Sequence, residues 1–92
     1  MGFDLYGLRK GDFSANIHDF RTLWIDVSNL CSFTIEQYER GCFNDYKEFS
    51  EKEALHISEC LESYLNTNIF NYNELLLIFY FFVRDSGGFV IG

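Results

Sequence analysis

The feature that most constrains this chain is a run of nine apolar side chains, LLLIFYFFV at residues 75–83, bounded by Glu74 and Arg84. A helix needs about 20 consecutive apolar residues to cross a bilayer, so this run is too short to be a membrane span. Because a helix with an apolar circumference cannot be covered by one neighbour, the rest of the fold must surround it. Any apolar surface left over would predict an interface with a partner or a second copy.

Periodicity alone cannot decide whether residues 75–83 form a buried helix or a buried strand, since every position is apolar. The flanking residues favour a helix. Asn71 or Asn73 can cap its start, and Arg84 suits its end. A Gly-Gly pair at 87–88 follows where a helix would stop.

Two short strands are predicted at the ends of the chain. Residues 2–8, GFDLYGL, alternate apolar side chains between glycines, and residues 89–91, FVI, have room for one more strand. Each strand is the natural partner of the other. The expected fold is therefore α+β, a single small domain over residues 1–92 in which three to four helices pack with a short two-stranded sheet formed by the N- and C-terminal segments.

Two amphipathic helices are predicted in the first half of the chain. Apolar residues recur at spacings of three and four over residues 15–31, and Ser14 is the predicted cap. A shorter helix over residues 34–40 begins at Thr34. It is expected to end at Gly41 in the left-handed conformation.

A third helix follows the capping box formed by Ser50 and Glu53 and runs to about residue 66. The segment before it, residues 42–49, has no clear period and is predicted to be a structured loop. With 48% hydrophobic residues and no proline, the chain offers core material for one domain and no linker.

The three cysteines do not form a paired framework, and the N-terminus lacks the layout of a signal peptide, so a reduced cytoplasm is the expected location. His56 and Cys60 lie four residues apart and share a helical face, a spacing that suits a thiol with its base or two zinc ligands. No third ligand sits at a diagnostic spacing. A zinc-dependent hydrolase here would need bound metal, and the sequence predicts a surface histidine beside a partly buried thiol. No catalytic residue, metal or cofactor is predicted, and we expect no enzyme.

Charge is concentrated in residues 36–62, which carry eight acidic and three basic residues and hold −5 of the total net charge of −7. Such a surface repels phosphates and favours a basic protein surface rather than nucleic acid or membrane. Aromatic residues of the kind found at interface hot spots, including Phe49, interleave with the acids. Acids can also serve solubility alone, and loop aromatics often fill a core. The predicted partner-binding residues are Glu36, Tyr38, Glu39, Phe43, Asp45, Tyr46, Glu48, Glu51, Glu59 and Glu62.

Four segments together resemble a group of small uncharacterised bacterial and phage proteins. They are the opening MGFDLYGL, the helix that contains Trp24, GCFND at 41–45, and FVRDSGGFVI at 82–91. No activity is attached to that group, so the resemblance implies no catalytic or binding residues. Members have a longer, basic and Trp-richer stretch where this chain has residues 9–13. The resemblance implies a setting in which a phage protein acts by binding a host molecule.

These features predict a small acidic protein-binding module, a phage-encoded inhibitor of the anti-CRISPR kind that acts in the host cytoplasm. Its partner would be a host defence enzyme with a basic surface, such as a nucleic-acid-guided nuclease. The alternative is a homodimeric structural or regulatory protein that associates through the apolar helix 74–84.

Overall fold

The computed structural model describes residues 2–43, 45–68 and 73–92. These residues form four helices and four strands. In chain order they are β1 Gly2–Gly7, β2 Asp12–Asn16, α1 Ile17–Leu30, α2 Ile35–Arg40, β3 Lys47–Phe49, α3 Glu51–Thr67, α4 Glu74–Ser86 and β4 Phe89–Ile91. The α+β class is confirmed. The predicted two-stranded sheet is wrong, because the strands form one antiparallel sheet in the order β2-β1-β4-β3.

The predicted pairing of the two ends of the chain is confirmed. β1 and β4 are antiparallel neighbours, with Leu5 opposite Ile91, and Asp4 and Gly92 exchange backbone hydrogen bonds of 3.3 and 2.8 Å. β4 also pairs with β3, so the last strand of the chain is an interior strand of the sheet.

The predicted start of the first helix is wrong, because residues 12–16 form β2. Phe13 and Ala15 lie opposite Leu5 and Phe3, and this pairing covers both apolar side chains. The helix begins after Asn16, whose side-chain oxygen accepts a hydrogen bond from the Asp19 amide at 2.8 Å. Ser14 is therefore a strand residue and not the cap.

The second helix has the predicted capping box of Thr34 and Gln37, but its end differs from the prediction. Gly41 has a φ of −94°, which any residue adopts, so the left-handed conformation expected there is wrong. Glycine is required by space, since a Cβ at this position would overlap the Trp24 indole. The loop predicted after it contains β3, because Phe49 is buried opposite Phe89.

The core lies between the sheet and a layer of helices on one of its faces. α1 and α4 both pack against β1 and β2, while α3 packs against α1 and α4. Trp24 is central to this core, with ring centroids 5.5 Å from Phe20, 5.6 Å from Phe49 and 6.4 Å from Phe79. The aromatic-rich composition thus fills the space between sheet and helices.

The apolar run forms α4, as predicted. Asn73 caps it, its side-chain oxygen accepting from the Leu75 amide at 2.8 Å, and Gly87 ends it at a φ of 71°; Asn71, the other predicted cap, lies outside the described residues. Most of the run is buried, but Ile78 and Phe81 remain 52% and 47% exposed. Among the described residues, no helix has the length and apolar content to cross a membrane.

Candidate functional site

One face of the sheet is covered by helices, and the other is not covered by any described element. Residues that pair across antiparallel strands point to the same face. Tyr6 lies opposite both Asp12 on β2 and Val90 on β4, and Val90 in turn lies opposite Glu48 on β3. These four side chains form a row that crosses all four strands, a span of roughly 14 Å at the usual strand spacing.

A second row runs beside the first on the same face. The Ser14 hydroxyl donates to the Asp4 carboxylate at 2.7 Å, and Asp4 is hydrogen-bonded through its backbone to Gly92. The Tyr46 ring lies over Gly92, with its Cε1 atom 2.8 Å from the place a Cβ would occupy. Glycine at position 92 therefore lets the Tyr46 ring lie close to the sheet.

Tyr46 has a left-handed backbone, with a φ of 62°. This conformation is uncommon for a residue with a large side chain and costs free energy. It is fixed by a hydrogen bond of 2.8 Å from the Tyr46 amide to the Ile91 carbonyl. The strained backbone nevertheless presents a ring that is 74% exposed, which points to a role outside the core.

We call the residues Asp4, Tyr6, Asp12, Tyr46, Glu48 and Val90 the open sheet face. Its three carboxylates are exposed, and in the described parts of the chain none of them forms an ion pair. Within the row that crosses the sheet, the acids lie on the two edge strands and Tyr6 and Val90 lie between them. An apolar centre with a charged rim is the usual anatomy of a protein interface.

The sheet divides the acidic segment predicted to bind a partner. Tyr46 and Glu48 belong to the open sheet face. Glu59 and Glu62 are exposed on α3, within the layer of helices on the other side of the sheet. Asp45 is exposed in the segment that leads to β3. The acids of residues 36–62 are therefore not gathered on a single surface.

Two acids of this segment form ion pairs with Arg40. The Arg40 guanidinium lies 2.7 Å from Glu36 and 2.9 Å from Glu53, donates to the Glu48 carbonyl at 3.0 Å, and stacks over the Phe49 ring at 4.6 Å. Its hydrogen bonds lower the pKa of Glu36 and hold the pKa of Glu53 at about 2. This cluster joins α2, β3 and the start of α3, so its role is structural.

The other residues of the predicted segment lie outside the open sheet face. Glu51 forms an ion pair with Arg9 in the β1–β2 turn. Tyr38 and Phe43 line a groove of about 220 Å³ beside Trp24, whose indole N–H donates to the Tyr38 carbonyl at 2.8 Å. Phe49, one of the interleaved aromatics, is fully buried, while Glu39 is exposed on α2.

Sequence reasoning missed Asp4, Tyr6, Asp12 and Val90. A signal for part of this set is present in β1, where FDLY alternates buried Phe3 and Leu5 with exposed Asp4 and Tyr6. The alternation shows that β1 has a polar face. It does not show which residues of the other strands share that face.

The spacing of His56 and Cys60 does bring the two side chains together, with Nε2 3.6 Å from Sγ. Across the described residues, no group of three or more His, Cys, Asp or Glu side chains is arranged to hold a metal ion. Compared with known proteins, the chain matches no family model, no curated protein and no solved structure.

Proposed function

We propose that this protein is a small acidic binding module that docks its open sheet face onto a positively charged surface of another protein. The observation that carries the proposal is the row Asp12, Tyr6, Val90 and Glu48, which crosses all four strands with a carboxylate on each edge strand. Tyr6 and Val90 can be desolvated at the centre of a contact, and the two acids can pair with lysine or arginine at its rim.

The partner favoured by this chemistry is an enzyme that handles nucleic acid. Such enzymes carry basic grooves that bind phosphates, and exposed aromatics on a sheet are a surface on which bases often stack. Here the aromatics are accompanied by carboxylates, so the same groove would attract this protein while a phosphate backbone would be repelled. Occupying the groove would inhibit the enzyme by steric and electrostatic blocking, as a phage inhibitor of a host defence nuclease would.

The test compares two triple variants that change the net charge equally. The sheet variant carries Asp4→Lys, Asp12→Lys and Glu48→Lys. The helix variant carries three exposed reversals away from the open sheet face, Glu39→Lys, Glu59→Lys and Glu62→Lys. Circular dichroism first establishes that both variants are folded, and each is then used to capture partners from a host lysate at low and high salt.

We expect the original protein and the helix variant to retain the same nucleic-acid-handling enzyme at low salt. High salt should weaken capture, because the distance over which exposed charges attract falls from about 8 Å at physiological ionic strength to about 3 Å at 1 M salt. Soluble double-stranded DNA should displace the enzyme, and the sheet variant should lose about tenfold or more in affinity. Undiminished capture by the sheet variant, or a complex that DNA does not displace, would contradict the proposal.

A second candidate function is homodimerisation through α4. It is favoured by the partial exposure of Ile78 and Phe81 on the solvent side of a helix that is otherwise deeply packed. In this reading the carboxylates of the open sheet face serve solubility. A molar-mass measurement distinguishes the two candidates.

A further inference from the structure

Two cysteines from distant parts of the sequence meet between α1 and α3. Cys31 follows the last residue of α1 and is 4% exposed, with its Sγ atom 3.9 Å from the Ile57 carbonyl oxygen. Cys60 lies three residues after Ile57 on α3. Since helical side chains lean toward the N-terminus of their helix, the Cys60 sulfur extends back over Ile57 and toward Cys31.

The environment of the Cys31 thiol agrees with this placement. Burial is the main reason that the pKa of the Cys31 thiol is raised far above its usual range, and the neighbouring Cys60 thiol raises it further. Cys31 is therefore held as a neutral thiol. Reactivity of a cysteine depends on its thiolate, so Cys31 cannot be the first of the two to react.

Cys60 is in a different environment. It is only partly buried, and the exposed His56 ring lies one turn before it on α3. The His56 Nε2 atom is 3.6 Å from the Cys60 sulfur, within reach of its proton. One thiol of the pair thus has access to solvent and an adjacent base, whereas the other is enclosed in the core.

We propose that Cys31 and Cys60 are a thiol oxidation site at which a small disulfide such as oxidised glutathione forms an intramolecular bridge. In the first step Cys60 gives its proton to His56 Nε2, and its sulfur attacks the glutathione disulfide. A mixed disulfide forms on Cys60, and one glutathione leaves with the electron pair of the broken bond and takes up the proton.

In the second step the small fraction of Cys31 that has lost its proton attacks, as a thiolate, the Cys60 sulfur of the mixed disulfide. The Cys31–Cys60 bond forms, the bond to glutathione breaks, and the second glutathione leaves with the Cys31 proton. Two protein thiols are oxidised while one glutathione disulfide is reduced to two thiols. Because Cys31 is buried, the second step is the slower one, and the mixed disulfide on Cys60 accumulates before the bridge.

The test follows the reaction by mass spectrometry. Reduced protein is incubated with oxidised glutathione, remaining thiols are blocked with iodoacetamide, and the product is cleaved with trypsin. Cleavage after lysine and arginine places the three cysteines in separate peptides, 22–40, 41–47 and 53–84. We expect glutathione on peptide 53–84 first and then a cross-link between 22–40 and 53–84. In a sample taken before blocking, the intact mass of the bridged protein should be lower than that of the reduced protein by two hydrogen atoms.

Three variants assign the roles. Cys42→Ser is the matched control and should form the bridge at the rate of the original protein. Cys31→Ser should stop at the mixed disulfide on Cys60, and His56→Asn should slow the first step severalfold without changing the order of products. Circular dichroism establishes that each variant is folded.

Two results with the unsubstituted protein would contradict the proposal. A cross-link that includes peptide 41–47 would do so. So would a Cys60 that stays unmodified in the folded protein under conditions in which the urea-unfolded protein reacts fully.

Discussion

At the scale of single residues, Arg40 contributes more described polar contacts than any other side chain of the acidic segment. It binds two carboxylates, a strand carbonyl and an aromatic face. Such a cluster is sensitive to pH because protonating a carboxylate removes its charge. Glu53 also accepts a hydrogen bond of 3.0 Å from the Ser50 amide at the start of α3. Protonation of Glu53 should therefore destabilise the cluster more than protonation of Glu36.

The pKa of Glu53 is lowered from 4.5 to about 2 in the folded protein, chiefly by hydrogen bonding to Arg40. A lowered pKa gives stability that is present above pH 4.5 and is lost as the pH falls toward 2. We expect Glu53→Gln to cost about 1 kcal/mol at pH 7 and to flatten the loss of stability in acid. Urea titrations at several pH values measure this effect.

Glu36→Gln is the control for this prediction, because its side chain is 69% exposed against 27% for Glu53. Its effect should be clearly smaller. Equal effects of the two variants would contradict the role given to Glu53.

Gly41 supports a steric prediction. Its backbone is ordinary, but a Cβ would overlap the Trp24 indole in the core. Gly41→Ala should therefore lower the free energy of unfolding by about 1 to 3 kcal/mol. Gly92→Ala is the matched control, since its Cβ would meet only the exposed Tyr46 ring, which can move. Urea denaturation measures the free energy of unfolding of both variants, provided that the slope of the transition is unchanged. Equal losses of stability in the two variants would contradict the steric role given to Gly41.

At the scale of elements, the starts of three of the four helices were predictable, whereas the start of α1 and the strands β2 and β3 were not. Helix starts depend on local signals, and the caps at Thr34, Ser50 and Asn73 occur where the sequence indicates them. β2 and β3 form only by pairing with other strands of the sheet. Phe13 lies opposite Leu5 and Phe49 lies opposite Phe89, and neither pairing is visible in the residues of the strand alone. Helical periodicity beginning nearby also obscured the alternation in β2.

The open sheet face was unpredictable for the same reason. Tyr6 and Glu48 are neighbours of one residue, Val90, although they are far apart in the sequence. A charge count along the chain groups Glu48 with Glu59, which the fold places on the other side of the sheet. Surface composition depends on strand register, and register is a property of pairs of segments.

Proline substitutions test the strand order. The backbone hydrogen bonds of Asp4 go to Gly92, the residue after β4. Alternation therefore directs the backbone bonds of Tyr6 at Val90 on β4 and leaves the Ser14 amide facing away from β1. Val90→Pro should cost roughly 3 kcal/mol or more, because it removes a ladder bond inside the sheet. Ser14→Pro on the edge strand should cost much less, and thermal unfolding compares them. The reverse ranking would rule out the order β2-β1-β4-β3.

At the scale of the whole molecule, the exposed large apolar side chains of α4 are Ile78 and Phe81. Stable interfaces bury about 800 Å² on each partner, and the Arg84 guanidinium already covers the Phe81 ring at 5.0 Å. We therefore expect light scattering across a range of concentrations to give the monomer mass of 10.9 kDa. A mass of twice this value that returns to the monomer in Phe81→Lys would instead support dimerisation through α4.

The interior position of β4 also affects how the protein folds during synthesis. β1 and β3 do not pair with each other, so the sheet cannot close until residues 89–91 have left the ribosome. Contacts between opposite ends of a chain form late, because a long loop must be closed first. In the nascent chain the helices would therefore form before the sheet. The open sheet face would consequently be completed in a single late event, and a chain stalled before β4 would lack the proposed binding surface.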